Sequence, residues 1–198
     1  CDPENVEALP ALSVDEPTVS MTFQVNASPF AGKEGKYLTS RQIKEGLDQE
    51  LIHHVAHRVE EGRDPEEVRV SGRGELHLSV LLENMRREGF ELAVSRPEVI
   101  FREVEGEVCE PYEQLTVDVE ETSQGAIMEA LGTRKGDLKN MSPDGKGRVR
   151  LDYIIPSRGL IGFQTEFMTT TSGTGLMYHV FDHYGPAQSG GIAPRQNG

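Results

Sequence analysis

The sequence predicts an α+β chain assembled from one structural unit used twice, and two observations carry that prediction. Apolar residues switch between strand-like alternation and helical spacing in the order β-α-β-β-α-β, and the order then restarts. A glycine turn at Gly72 and Gly74 opens a segment whose Leu78, Leu81, Leu82 and Met85 recur at i, i+3, i+4 and i+7, the stripe of a helix packed on a sheet.

Residues 1–17 carry Pro3, Pro10, Pro17 and several acids and read as a linker. Val19, Met21, Phe23 and Val25 alternate with Ser20, Thr22 and Gln24 as a half-buried first strand. Pro29 to Tyr37, with Gly32 and Gly35, reads as a loop. Thr39 with Gln42 three residues on forms a capping box for a helix that presents Ile43, Leu47, Leu51 and Val55. Strands near 56–60 and 66–71 flank the turn Glu61-Gly62-Arg63-Asp64-Pro65. The helix at 74–88 stops at Gly89, and Ala93, Val99 and Phe101 resume extended structure.

In the second unit, Leu115, Val117 and Val119 alternate with polar neighbours, and a helix from about Ser123 to Arg134 presents Ile127 and Leu131. A hairpin is expected to turn on Ser142-Pro143-Asp144-Gly145, with Val149, Leu151, Tyr153 and Ile155 facing inward on its second strand. Ser157 is expected to cap one helix carrying Leu160, Phe163 and Phe167, broken by Gly173 and Gly175 before a last strand from Leu176 to Tyr184. Two such units make two ferredoxin-like (split βαβ) modules in tandem, over 18–105 and 106–185, with 186–198 expected to be the start of a further C-terminal domain. The expected cores use Val19, Met21, Phe23, Val25, Ile43, Leu47, Leu51, Leu78, Leu81 and Leu82 in the first module. In the second they use Leu115, Val117, Val119, Ile127, Leu131, Val149, Leu151, Ile155, Phe163 and Phe167.

The chain has 198 residues, 36% hydrophobic, with Cys1 and Cys109 as its only cysteines. That is too few for a disulfide framework, and a reducing cytoplasm is the expected compartment. No apolar run approaches membrane-spanning length, so no membrane partner is expected. The start on Cys1 and the end on Gly-Gly-Ile-Ala-Pro-Arg-Gln-Asn-Gly are those expected of a piece of a longer protein.

Catalytic signatures are lacking. The sequence has no Gly-x-x-x-x-Gly-Lys-Ser/Thr loop to cradle a nucleoside triphosphate, and Gly72-x-Gly74 lacks the third glycine of a dinucleotide fingerprint. His53 and His57 lie one helical turn apart, but His54 stands where a zinc-protease helix needs glutamate, so they are read as structural. Asp182-His183 has no marked nucleophile beside it, and Cys109 between Glu107 and Glu110 is expected to be unreactive. No catalytic residue, cofactor site or metal site is assigned to the chain.

Charge offers the best lead. The net charge is −13, yet Arg134, Lys135, Lys139, Lys146, Arg148, Arg150 and Arg158 crowd one segment against Asp137, Asp144 and Asp152. An acidic body with one basic segment can steer a polyanion to one face. Arg134, Lys135, Lys139, Lys146, Arg148 and Arg158 are the candidate RNA-binding residues, with Arg73 a lesser one that could instead pair with Glu75. Lys146 and Arg148 are expected on one solvent-facing side of a strand.

The runs SGRGELHLSVLLENMR, EALGTRKGDLKNM and PSRGLIGFQTEFMTTTSGTGLMYHVFDHYGP resemble the BipA (TypA) translational GTPases over nearly the whole chain. Elongation factor G has a related helix-turn wording, but there another domain separates the two modules. Here Val104-Glu105-Gly106 joins them directly. The resemblance implies an elongation factor G domain III-like module, a domain V-like module, and GTPase, β-barrel and C-terminal domains in the parent chain. It implies a ribosome-dependent GTP hydrolase that uses GTP and magnesium outside this stretch. The parent is then a cytoplasmic, monomeric factor for large-subunit assembly, translation and stress adaptation, whose partners are rRNA and ribosomal proteins. The alternative is a small-molecule-sensing regulatory module, since paired ferredoxin-like units also serve that role.

Overall fold

The computed structural model describes residues 17–53 and 58–191. The expected linker therefore lies almost wholly outside the described residues, as do Val55, His54 and His57 and the side chain of His53.

The chain forms two antiparallel sheets of five strands, each covered on one face by helices. The first contains β1 (Val19–Val25), β2 (Arg58–Glu61), β3 (Glu67–Gly72), β4 (Leu92–Val94) and β5 (Glu98–Val99), in the order β2-β3-β1-β4 with β5 also on β1. Its helices are α1 (Ser40–His53) and α2 (Glu75–Glu88). The second contains β6 (Arg102–Val104), β7 (Glu107–Glu120), β8 (Asp137–Pro143), β9 (Arg148–Pro156) and β10 (Leu176–Pro186), in the order β10-β7-β9-β8 with β6 also on β7. It is covered by α3 (Glu121–Thr133), α4 (Ser157–Leu160) and α5 (Phe163–Thr170). In both, the first strand of the unit lies between its third and fourth, which makes each a ferredoxin-like module.

Alternation puts the cores where the sequence points. Val19, Met21 and Phe23 face Val68, Val70, Ile43, Leu47, Leu78, Leu81 and Met85 in one cluster. Leu115, Val117, Val119, Ile127, Leu131, Val149, Leu151, Tyr153, Ile155, Phe163 and Phe167 form the other. Leu51 and Leu82 are only partly buried. The capping box at Thr39 forms as expected. The Gln42 amide N–H donates to Thr39 Oγ1 at 3.3 Å, and Gln42 Oε1 accepts from the Thr39 N–H at 3.2 Å.

Three local readings are corrected. Ser157 heads no single long helix: Gly162 sits in the left-handed region at φ 72 and divides the segment into α4 and α5. Ser157 is also no cap, because the residue before α4 is Pro156 and the Ser157 hydroxyl, buried, has no hydrogen-bond partner. The β8–β9 turn falls later than expected, on Asp144–Gly147. There Asp144 Oδ1 accepts the Lys146 and Arg148 amides at 2.7 and 3.0 Å, and Gly145 and Gly147 both have positive φ. Glu105 and Gly106, with φ of 54 and 83, form the tight turn between β6 and β7, so residues 102–104 already pair within the second sheet.

One carboxylate organises the loop after β1. Glu91 accepts the backbone N–H groups of Gly32, Glu34 and Gly35 at 3.0 to 3.1 Å and the Asn26 side-chain amide at 2.8 Å. Burial pushes the Glu91 carboxyl up, but these donors together favour its charged form and hold it below the ordinary glutamate value.

Candidate nucleic-acid interface

The basic segment does not fold into a patch, because most of its cations are used by the second module itself. Arg134 follows α3 and turns inward. Its Nη1 donates to the carbonyls of Gly159 and Ile161 at 2.8 and 3.1 Å, its Nη2 pairs with Glu166 at 2.8 Å, and its guanidinium stacks on Phe163. The side chain is only 14% exposed. Arg158 is similarly held: Nε pairs at 2.7 Å with Glu110, which is 1% exposed, while the two Nη groups donate to the carbonyls of Gly190 and Gln188.

Arg148 does lie on the outward side of β9, as its parity requires, but it is not idle there. It pairs with Asp118 Oδ1 at 2.6 Å and donates to the carbonyls of Asp118 and Thr174. Lys146 is in the turn rather than on the strand, so the two do not share a strand face. Lys135, at φ 65, donates to the Ser189 carbonyl, and Lys139 pairs with its near neighbour Asp137 on the edge strand β8. Lys139 and Lys146 keep exposed side chains.

Arg73 is exposed in the turn before α2 and does not meet Glu75 in an ion pair. Glu75 Oε2 instead accepts the Gly162 N–H at 2.9 Å, joining the head of α2 to the head of α5 across the two modules. Beside this contact, a cavity of about 300 Å³ brings Thr18, Arg73 and His77 of the first module against Glu113, Tyr178 and His179 of the second. His179 Nδ1 lies 2.9 Å from Glu113 Oε1, and that hydrogen bond holds the imidazole above its ordinary pKa.

The sequence reading missed a second group of cations. Arg58 and Arg69 project from the outer face of the first sheet, and Arg102 approaches the same groove with its guanidinium over the Tyr184 ring at 4.5 Å. The alternation of Arg58 with Val59 and of Arg69 with Val68 and Val70 held the signal, but the three arginines are too far apart in sequence to read as a cluster. Asp182 and His183 do pair, with the imidazole stacked on Tyr112, an arrangement that needs no catalytic role.

A family model described as the elongation factor G C-terminus matches residues 107–191. Over all 198 residues the chain is 72% identical to the large ribosomal subunit assembly factor BipA of Salmonella typhimurium and 72% identical to that of Escherichia coli K12, covering 33% of each. Against the Haemophilus influenzae protein of the same name it is 68% identical and covers 32%. The chain thus spans about a third of the length of the curated relatives it matches. A solved structure from Thermus thermophilus matches 88% of this chain and 41% of its own at a TM-score of 0.55 and 13% identity, a likeness of fold alone. Over its whole length, with its two ferredoxin-like modules in tandem, the chain is therefore closely similar to about a third of the BipA proteins.

Proposed function

We propose that this chain is the ribosome-contacting, non-catalytic portion of a large-subunit assembly factor whose parent is a ribosome-dependent GTPase. The observation that carries the reading is the 72% identity across every residue to proteins named large ribosomal subunit assembly factor BipA.

The parent's GTP and magnesium would be held outside this stretch. The sequence has no phosphate loop, and among the described residues no three His, Cys, Asp or Glu side chains gather as a metal site. No step through GTP is assigned to this chain. What it supplies is binding and mechanical connection: two modules, joined through the Glu75–Gly162 contact, that dock on rRNA and ribosomal proteins. Within the second module, Lys139, Lys146 and Arg150 keep exposed side chains, with Arg73 at the junction. Arg134, Arg148 and Arg158 serve the fold first.

Cosedimentation of the chain with purified large subunits across a salt series tests the proposal. A pellet fraction that falls as salt rises is the expected result, since phosphate contacts release counterions. No cosedimentation at low salt would remove the ribosomal reading. Saturable thermal stabilisation by a small metabolite in the same preparation would favour the sensory alternative.

A further inference from the structure

We infer that the outer face of the first sheet, where it meets the second module, is a binding groove for an RNA phosphodiester backbone. The inference rests on the ribosomal reading above and names the surface that would carry it. The groove encloses about 660 Å³ and is bounded by Arg58, Arg69, Arg102 and Arg158, with Glu60 and Glu98 as its acids.

Register explains its shape. Arg58 on β2 lies opposite Ser71 on β3, Ser71 opposite Ser20 on β1, and Ser20 opposite Glu98 on β5, so these residues form one outward row. The middle of that row is two serines, both nearly buried, at 3% for Ser20 and 4% for Ser71. Short side chains there set the depth between taller arginines: Ser71 lines the groove, and the Ser20 hydroxyl is covered by Arg69, so it is the guanidinium groups that would meet a phosphate.

The arginines differ in commitment. Arg69 donates to Ser20 Oγ at 3.1 to 3.3 Å and lies opposite Glu60, so it is aimed along the floor while remaining exposed. Arg58 is exposed at the sheet edge. Arg158 is tied to Glu110 and forms a fixed wall. At the rim Phe101 is 51% exposed, a flat apolar surface on which a base can stack. Guanidinium forks and an exposed ring are parts that RNA recognition uses. Four arginines against Glu60 and Glu98 line this groove in a chain whose net charge is −13.

The test is fluorescence anisotropy of a fluorescein-labelled RNA hairpin titrated with the chain at several salt concentrations, beside the large-subunit cosedimentation. Arg58→Gln and Arg69→Gln should each weaken binding and reduce the log–log salt slope by about one unit, with thermal melts checking the fold. Arg69→Lys keeps the charge and should retain the slope. Binding and slope unchanged in both glutamine variants, or no binding of the hairpin at all, overturns the groove even if the chain cosediments. Groove-dependent hairpin binding without cosedimentation would support the groove and sink the ribosomal reading instead.

Discussion

Replacing Arg134 by alanine should damage the fold of the second module far more than any exposed cation would. The guanidinium donates to two carbonyls at the α4–α5 corner and pairs with Glu166, while its own exposure is 14%. Hydrogen bonds from a charged donor are worth about 1.5–3 kcal/mol, and the two carbonyls share one Nη, so together they count as roughly one strong interaction. Glu166 is 41% exposed, so its ion pair is discounted for solvent screening to at most about 1 kcal/mol. Stacking over Phe163 adds about 0.5 kcal/mol. The loss is then about 3 kcal/mol, and at 4–8 °C per kcal/mol for a domain of roughly 60–100 residues the melting transition should fall by roughly 12–24 °C. Circular dichroism melts of wild type, Arg134→Ala and Arg134→Lys measure it. Lysine should rescue little, because one ammonium on a flexible stem cannot reproduce a planar fork that serves three acceptors. A wild-type melt for Arg134→Ala would refute the structural assignment and return the residue to the binding surface.

Leu81→Ala, in the core of the first module, should cost about 2–5 kcal/mol by denaturant unfolding, and Leu82→Ala clearly less, because Leu82 is only partly buried. Glu91 is held below its ordinary pKa, so its contribution is full above about pH 4.3 and is lost as pH falls through the lower folded value; Glu91→Gln should destabilise at pH 7 and approach wild type in acid. His179 has the opposite sign: its raised pKa gives stability that is complete below about pH 6.5 and fades as pH rises through the folded value, so the deficit of His179→Gln in thermal melts should be larger at pH 5.5 than at pH 8.5. Lys146→Ala should leave the melt unchanged and weaken large-subunit cosedimentation, with a smaller salt slope; unchanged binding would show the side chain to be plain solvated surface.

Periodicity made the strands, most helices and both cores legible, since burial of alternate residues on β1, β7 and β9 follows from the two-residue repeat alone. It could not show that Gly162 would adopt positive φ and split one apolar stripe between two helices, because Leu160, Phe163 and Phe167 keep a helical spacing across the break. Charge clustering in sequence was the weaker guide. Arg134, Arg148 and Arg158 are near one another in the chain, yet each finds a carboxylate brought to it by a distant element: Glu166 on α5, Asp118 and Glu110 on β7. Those partners are invisible to a local window. The same limitation hid the other arginines of the groove, which lie on β2 and β3 of the first sheet and on β6 of the second and meet only after both modules have formed and docked.

The turn Ser71-Gly72-Arg73-Gly74-Glu75 owes its unusual wording to that docking as much as to α2. A glycine turn would suffice to start a helix on a sheet, but here the first helical residue is a carboxylate that leaves its own helix. Glu75 takes the N–H of Gly162, whose left-handed conformation heads α5, so one side chain serves the amino-terminal ends of two helices in different modules. A negative charge is favoured at both ends by the helix dipoles, and the bond therefore has an electrostatic preference for the docked arrangement. Tyr184 of β10 donates to the Ile100 carbonyl at 3.4 Å, a second junction contact, and within the second sheet the Arg102 guanidinium lies over its ring at the rim of the RNA groove. Two tethers at separate points of a junction resist twisting in a way that one cannot. The groove between Arg58 and Arg158 has a fixed width only if both hold, so the residues that dock the modules also set the geometry of the surface proposed to bind RNA.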